Sequence, residues 1–310
     1  MKGFKIMKVG ITVVGLCFLS TYLMILFVAP TVRDNQVYVA ASIDKESRLE
    51  EIHNNRLVFV GGSNLALGIN SEKMASSTGR AVINMGLHAG LGLSFPLNEA
   101  LFGLKKGDVV VLSIEYFLSE TNFKLAAQLI DVNPEALDFF SLSPSNGDLI
   151  RLYIQSVQRC ISALFYRLIS GEKSDPIYNR YGFSKEGDLT SHFGKPGSEK
   201  IGDNTVFTNK DYSSEISKIN DFIVSANKKG AIVFFTYPSF SKSAYMKNIE
   251  VISKLSSQYN AQLKCPILGN AQTFVLSDRY FFDTTYHLDS LGIQKRTGVM
   301  ISILPSHLRR

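Results

Sequence analysis

Cysteine and histidine are scarce in this chain of 310 residues. There are three cysteines and five histidines, which excludes a disulfide framework and a cysteine-rich zinc site. Cys17 lies in a long apolar segment, so Cys160 and Cys265 are the only pair that an oxidising compartment could join; burial of both as small apolar side chains is the alternative. The histidines form no clustered ligand set, so we expect neither a metal nor another cofactor.

A basic stripe interleaved with aromatic residues is also lacking. The formal net charge is +6, but half of it comes from Lys2, Lys5 and Lys8, and the remainder is nearly balanced. We therefore expect no nucleic acid partner. The glycine-rich stretch 86–92 has the spacing of neither a P-loop nor a dinucleotide fingerprint, which argues against nucleotide binding.

One long hydrophobic run follows the three lysines. Val9 to Ala29 is free of charge over 21 residues, and about 20 apolar residues span a bilayer as a helix. We predict a cytoplasmic tip and transmembrane anchor over residues 1–30, with the bilayer contacted through residues 9–29 and the rest outside the cytoplasm. A cleaved signal peptide is the alternative, with Val39-Ala40-Ala41 as a weak cleavage site. Residues 31–55 are polar and predict a stalk that ends in a helix.

Short apolar segments alternate with helical patterns in residues 56–310. Strands are predicted near residues 57, 81, 109 and 231, with a further short one near 262. This alternation predicts an α/β domain with a three-layer doubly wound, flavodoxin-like parallel sheet of about five strands.

Residues 117–210 interrupt this pattern and are too long for a simple connection, so we predict an inserted helical and loop subdomain. Within it, residues 148–170 have an apolar stripe at helical spacing. The stripe could pack on the main domain, or face a membrane surface or a partner. Tyr178 to His192 is rich in aromatic and polar residues and is interpreted either as a sugar-binding segment or as an ordinary surface loop.

A candidate nucleophile lies at the end of the first predicted strand. Leu57 to Val60 are apolar, Gly61 and Gly62 allow a tight turn, and Ser63 follows at the carboxyl end of the strand, where open α/β sheets keep their sites. A serine needs a base and an orienting acid to become nucleophilic. Asp283 and His287 offer both, although a bare turn at Ser63 and an ion pair between the other two are the simpler alternatives.

These blocks resemble the SGNH/GDSL hydrolase superfamily over roughly residues 56–305. Ser63 matches the nucleophile block, Asn84-Met85-Gly86 the block with an oxyanion glycine, and Asp283 with His287 the late acid and base. The resemblance implies that Ser63 attacks, His287 takes its proton and Asp283 orients the imidazole. It also implies oxyanion donation by the amides of Gly86 and Ser63, with the Asn64 side chain as a further donor.

Three departures from the family pattern are visible. The first block reads Gly61-Gly62-Ser63 without its aspartate, the third block is absent, and Asp283 precedes His287 by four positions instead of three. Glu115 stands near the expected oxyanion asparagine; it could orient another group or bind a substrate hydroxyl, and capping or ion pairing is the alternative.

Together with the anchor, the resemblance is to membrane-bound proteins that modify bacterial envelope polysaccharides beside a multispanning membrane acyltransferase. The expected function is that of a single-pass, extracytoplasmic serine acyl esterase or O-acyltransferase at the bacterial cytoplasmic membrane, with a glycan or acylated substrate. The alternative is a catalytically inactive scaffold or glycan-binding component.

Overall fold

A five-stranded parallel sheet forms the centre of the computed structural model, which describes residues 2–33, 36–116, 120–142, 147–169, 175–199, 201, 206–209 and 211–310. The sheet order is β2-β1-β3-β4-β6. Its strands are β1 Arg56–Gly61, β2 Ala81–Asn84, β3 Val109–Ser113, β4 Ile232–Thr236 and β6 Ile267–Leu268, while β5 Phe240–Ser241 and β7 Val275–Leu276 form a separate pair. The α/β class and the first four predicted strands are confirmed.

Helices connect these strands. They are α1 Lys2–Val32, α2 Ala41–Glu51, α3 Ser63–Ala66, α4 Ser71–Thr78, α5 Ser94–Gly103, α6 Phe123–Val132, α7 Asp148–Ile169, α8 Ser213–Lys228, α9 Lys242–Lys247, α10 Ile249–Gln262 and α11 Ser290–Ile303. The further short strand is present as β6, although it begins at Ile267 instead of near residue 262, because α10 continues to Gln262.

Both faces of the sheet are covered by apolar side chains. Val58 and Val60 pack with residues of α5, α8 and α10, whereas Leu57 and Phe59 pack with residues of α4 and α11. Strands buried on both faces are expected to be continuous apolar runs, which is why β1 and β3 were recognisable in the sequence. The carboxyl ends of these strands lie at one edge of the sheet, where Ser63 and Glu115 follow β1 and β3.

The amino-terminal helix α1 is long and apolar enough to cross a membrane. The segment Lys5–Pro30 has a mean hydropathy of 2.4 in its most apolar window, none of which is buried in the protein. The chain after it, where we expected a polar stalk that ends in a helix, leads into helix α2, and the residues just before α2 are packed on the domain. Tyr38, Val39 and Ala41 are buried with Leu87 and other core residues, because the Tyr38 hydroxyl donates to the Leu87 carbonyl at 2.7 Å and pins this stretch to the domain.

The predicted insertion is tied to the rest of the domain in its described parts; residues 117–119, 143–146, 170–174, 200, 202–205 and 210 of it lie outside the described residues. Side chains of α6 share one apolar cluster with Leu67, Leu87 and Phe95. The segment 178–192 is not an ordinary surface loop, since Asp188 accepts hydrogen bonds from the Ser71 amide at 2.7 Å and from Asn84 Nδ2 at 2.8 Å.

The contact between α2 and α5 contains a buried acid that makes stability depend on pH. Glu99 Oε1 accepts a hydrogen bond from Ser42 Oγ at 2.5 Å, while Glu99 Oε2 has no partner among the described residues. Burial, followed by repulsion from Glu46, raises the pKa of Glu99 from 4.5 to about 8. The folded chain therefore holds a proton that the unfolded chain releases between these two values.

We expect Glu99→Gln to flatten the pH dependence of stability between pH 4.5 and about 8. Because the pKa is raised in the folded state, the stabilising contribution of Glu99 is complete below pH 4.5 and is lost as the pH rises towards 8. Thermal unfolding in detergent across this range measures the effect, with the exposed Glu72→Gln as the control. Parallel curves for wild type and Glu99→Gln would contradict the buried, protonated acid.

Candidate active site

The turn after β1 presents Ser63 to a histidine from the far end of the chain. Ser63 opens the short helix α3, and its Oγ lies 2.8 Å from His287 Nε2. The two preceding glycines are required by space. A Cβ on Gly61 would lie 2.1 Å from the Ser113 carbonyl oxygen, and one on Gly62 would lie 2.4 Å from Glu115 Oε1. The backbone turn is thus packed against the end of β3.

His287 is held by the loop that precedes α11. Its Nδ1 lies 2.8 Å from Asp283 Oδ1, so the imidazole contacts a carboxylate on one side and the Ser63 hydroxyl on the other. Thr284 Oγ1 accepts from the amides of Tyr286 at 3.3 Å and His287 at 3.1 Å, which closes a local turn. This turn absorbs the four-residue spacing between Asp283 and His287.

The loop is fixed relative to the nucleophile by a backbone contact. The Leu288 amide donates to the Leu67 carbonyl at 3.0 Å, directly after α3. The structure therefore brings Ser63, His287 and Asp283 together in the order of a serine triad, in which the acid orients the base and the base faces the hydroxyl.

Tyr178 is a fourth member of this arrangement that the sequence did not single out. Its hydroxyl donates to Asp283 Oδ2 and lies 3.1 Å from His287 Nδ1. Burial, followed by the hydrogen bond to Asp283, raises the pKa of Tyr178 well above its usual value, so the hydroxyl stays protonated and remains a donor. The only sequence signal was the aromatic content of the segment from Tyr178 to His192, which does not specify a contact with an acid 105 residues away.

Asp283 is kept ionised by its neighbours. Burial alone would raise its pKa, but the hydrogen bond and charge of His287, together with the Tyr178 hydroxyl, lower the pKa below the ordinary value. A carboxylate that accepts two hydrogen bonds is stabilised in its charged form. The negative charge is therefore in place to fix the imidazole tautomer and to stabilise an imidazolium.

The expected oxyanion donors are engaged elsewhere in the structure. The Gly86 amide donates to Asn84 Oδ1 at 2.9 Å, and the Asn64 side chain donates to the Ser113 carbonyl at 2.9 Å. Both residues were expected to donate to an oxyanion. The Gly86 amide is occupied within its own loop, and the Asn64 side chain is fully buried. The Ser63 amide is the first N–H of α3, so it has no acceptor within that helix.

Glu115 supports the nucleophile turn, which corrects the expectation that it contacts substrate. Its carboxylate accepts from the amides of Gly62 at 3.1 Å and Asn64 at 2.8 Å, and the residue is buried. The carboxylate occupies the space that a side chain at residue 62 would fill. In the SGNH/GDSL family, which this chain resembles, an aspartate lies within the turn. Here the turn has no aspartate, and the carboxylate beside it comes from Glu115 instead.

Arg296 of α11 holds the same turn from the opposite side. Its Nη1 donates to the Asn64 carbonyl, and its Nη2 donates to Asn64 Oδ1 and Ser113 Oγ, both at 2.9 Å. Burial lowers the pKa of Arg296 to about 9, and the charge of Glu115 opposes that shift. The buried acid and base therefore balance each other around Asn64.

A cavity of about 610 Å³ lies over the triad. Ser63, Asp283 and His287 contribute to its wall, and the remaining wall is largely apolar with tyrosine hydroxyls and amides interspersed. It is lined further by Gln36, Val37, Tyr38, Val39, His88, Leu125, Gln128, Asp175, Tyr178, Thr284 and Tyr286. A space of this size, apolar with a few polar groups, suits a small organic ligand.

Neither metal ligands nor similarity to known proteins helps to assign a function to this site. Within the described ranges, no group of three or more His, Cys, Asp or Glu side chains is arranged to hold a metal ion. The chain matches no protein-family model. A search of curated proteins likewise finds no significant match. The functional assignment therefore depends on the geometry.

We expect Tyr178→Phe to slow the reaction of Ser63 with an acylating or phosphonylating reagent by about 10-fold, since a hydrogen bond to a charged group contributes about 1.5–3 kcal/mol. Without this donor the pKa of Asp283 rises, so the acidic limb of the pH–rate profile should move to higher pH. The rate of labelling of Ser63, measured from quenched samples at a series of pH values, tests both effects.

The control for Tyr178→Phe is Tyr181→Phe, which removes a hydroxyl from an exposed side chain in the same segment. A variant that lost only packing would change stability but would leave the acidic limb in place. An unchanged limb for Tyr178→Phe would therefore contradict its role in positioning Asp283.

A double-mutant cycle tests the packing of Gly62 against Glu115. Gly62→Ala should destabilise the wild-type chain strongly, because the new Cβ would lie 2.4 Å from Glu115 Oε1, and it should cost less in a Glu115→Ala background. We expect a coupling of about 0.5–3 kcal/mol from chemical unfolding. Gly298→Ala, with open space around its Cβ position, is the control and should be additive with Glu115→Ala. Additivity of the Gly62 and Glu115 variants would contradict the contact.

Proposed function

We propose that this chain is a membrane-tethered serine acyl esterase or O-acyltransferase of the SGNH/GDSL type. The observation that carries the proposal is the meeting of Ser63, His287 and Asp283 over a cavity. Two of these residues are separated from the third by more than 200 positions, and neither a bare turn nor a local ion pair gives a reason for them to meet. Nucleophilic catalysis does.

The reaction follows from the contacts. Ser63 Oγ attacks the carbonyl carbon of an ester while its proton passes to His287 Nε2, and Asp283 stabilises the imidazolium. Collapse of the tetrahedral intermediate breaks the bond to the leaving alcohol, which takes the proton from His287. The acyl group then remains on Ser63. Water or a sugar hydroxyl then attacks this acyl-enzyme while His287 takes its proton. The bond between the acyl carbon and Ser63 Oγ breaks, and Ser63 Oγ takes the proton back from His287, which completes hydrolysis or transfer.

The strand order supports the proposed fold family. A parallel order of β2-β1-β3-β4-β6 with helices on both faces is compatible with the three-layer doubly wound, flavodoxin-like arrangement, in which ligands bind at the carboxyl ends of the strands. Ser63 follows β1, and the block with Gly86 follows β2. These positions agree with the SGNH-type assignment.

The proposed setting is the outer face of a bacterial cytoplasmic membrane. The span in α1 and the lysines that precede it support a single-pass protein whose large domain is outside the cytoplasm. We propose an envelope or exported polysaccharide as the acyl-bearing or acyl-accepting substrate, and a multispanning membrane acyltransferase as a partner. The aromatic and polar wall of the cavity supports a glycan, since sugar rings need both stacking and hydrogen bonds.

A scaffold without catalysis is the second candidate, and one observation favours it. The Gly86 amide and the Asn64 side chain are engaged elsewhere, and loss of a single oxyanion donor costs about 10²–10³ in rate. The buried charge of Glu115 beneath the turn also opposes negative charge on the oxyanion. The domain would then bind a glycan or an assembly partner through the same cavity.

Reaction with a fluorophosphonate probe distinguishes the two candidates. We expect labelling of the full-length protein in detergent, complete loss in Ser63→Ala, and a rate at least about 10³-fold lower in His287→Ala, because removal of the base leaves the hydroxyl protonated. Ser76→Ala, which changes an exposed serine in α4, is the control and should be labelled like wild type. Mass spectrometry locates the adduct.

Absence of labelling in a wild-type protein that unfolds cooperatively would favour the scaffold. Labelling that survives in Ser63→Ala would refute the proposed nucleophile. Once labelling is established, release of acetate or another short acid from acylated polysaccharide would identify the acyl group.

A further inference from the structure

Helix α7 packs along the outer part of α1. Cys160 and Ala163 of α7 share a buried cluster with Ala29 and Val32 of α1, and Tyr153 Oη donates to Thr21 Oγ1 at 2.6 Å. Contacts earlier in α7 thus meet earlier positions of α1, so the two helices run in the same direction side by side.

These contacts reach deep into the candidate membrane span. Thr21 lies nine residues before Pro30, where the apolar segment ends, which is about 13 Å at 1.5 Å per residue. Suppose that the bilayer ended on the cytoplasmic side of the contact between Thr21 and α7. The apolar part of α1 that remained to cross the bilayer would then be Val9 to Ser20, which is about 18 Å long. This is too short for a hydrocarbon core of about 30 Å.

Most exposed side chains of α7 between Ile150 and Phe165 are apolar. The exposed side chains Ile150, Ile154, Gln158, Ile161 and Phe165 recur every three or four residues and form a single stripe, with Leu164 beside it. Ile150 is 65% exposed and Phe165 is 63% exposed. A continuous stripe of this kind on a helix is typical of contact with lipid or with another apolar surface.

The charges of α7 do not interrupt this stripe between Ile154 and Phe165. Arg159 is turned towards α6, where its Nε donates to Asp131 Oδ2 at 2.7 Å. Arg151 is the exposed charged residue among the described side chains of α7, and its Nη1 lies 3.8 Å from Asp148 Oδ1 in the first turn. Between Ile154 and Phe165, the exposed side chains of α7 are therefore uncharged, and the exposed charge of Arg151 lies before this stretch.

We infer that α7 is a second membrane-contacting element, which lies beside α1 in the outer leaflet with its apolar stripe against the acyl chains. The bilayer, and not a protein partner, is the occupant of this face. A span of about 30 Å along α1 requires lipid at this depth, and the α7 stripe lies beside the exposed apolar side chains of α1. The domain is then fixed to the membrane by two helices instead of one.

Tryptophan fluorescence provides a direct test, because the chain contains no tryptophan. Ile154→Trp and Phe165→Trp are introduced singly into the full-length protein in nanodiscs whose lipids carry bromine at defined acyl positions. Phe102→Trp is the matched negative control, since Phe102 is 68% exposed but lies on α5. Leu16→Trp, on the exposed surface of α1, is the positive control.

We expect brominated lipid to quench Leu16→Trp, Ile154→Trp and Phe165→Trp by at least about half and to leave Phe102→Trp unchanged. Ile154 is adjacent to Tyr153, which contacts Thr21 in the span. The tryptophan of Ile154→Trp should therefore be quenched most by bromine near the bilayer centre, and the tryptophan of Phe165→Trp by bromine near the headgroups. The inference would be overturned if lipid bromine quenched Leu16→Trp but neither Ile154→Trp nor Phe165→Trp. It would also be overturned if the two α7 tryptophans lay at the same depth in the bilayer. Unquenched Leu16→Trp would overturn it at its first step, and far-ultraviolet circular dichroism verifies that each variant is folded.

Discussion

The contact between the Glu115 carboxylate and the backbone turn after β1 is the constraint on which the site depends. Two amides of this turn are buried away from water, and unpaired buried amides cost about 1–3 kcal/mol each. Glu115 satisfies those of Gly62 and Asn64, and Arg296 secures the Asn64 carbonyl and side chain from the other side. The turn that carries Ser63 is thereby held between β3 and α11, with little freedom to relax.

This construction has a consequence for the chemistry. A buried carboxylate beneath the nucleophile turn stabilises the backbone but opposes negative charge on an oxyanion nearby. The usual donors at Gly86 and Asn64 are occupied, so an active site would depend on the Ser63 amide and on rearrangement around the Gly86 loop. For the proposed enzyme we therefore expect slower hydrolysis than in a site with three free donors. Slow turnover is compatible with transfer of an acyl group to a positioned acceptor, because a long-lived acyl-enzyme gives the acceptor time to compete with water.

The strands of the core were recognisable in the sequence for one physical reason. Strands buried on both faces are apolar without interruption, as in Val109 to Leu112, and the residues at their carboxyl ends lie at one edge of the sheet. Asp283 and His287 follow no strand of this sheet, and their place beside Ser63 was expected only from the family resemblance. The remaining features depend on tertiary contacts that leave no periodic signal. Tyr178 reaches Asp283 from a segment of irregular backbone, and the Tyr38 hydroxyl draws a stretch expected to be a polar stalk into the core. The direction of the Glu115 carboxylate is decided by the absence of a side chain at Gly62, which sequence alone presents only as a flexible turn.

The path of the chain places the cavity close to the end of α1. Gln36 lines the cavity four residues after α1 ends at Val32, and four residues span at most about 14 Å. Leu125 and Gln128 complete this side of the wall from α6, which itself packs on α7. Helix α6 therefore connects the cavity wall to α7, and α7 in turn packs along α1. A displacement of α7 would reach the cavity through α6, whereas the residues that follow α1 form part of the wall themselves.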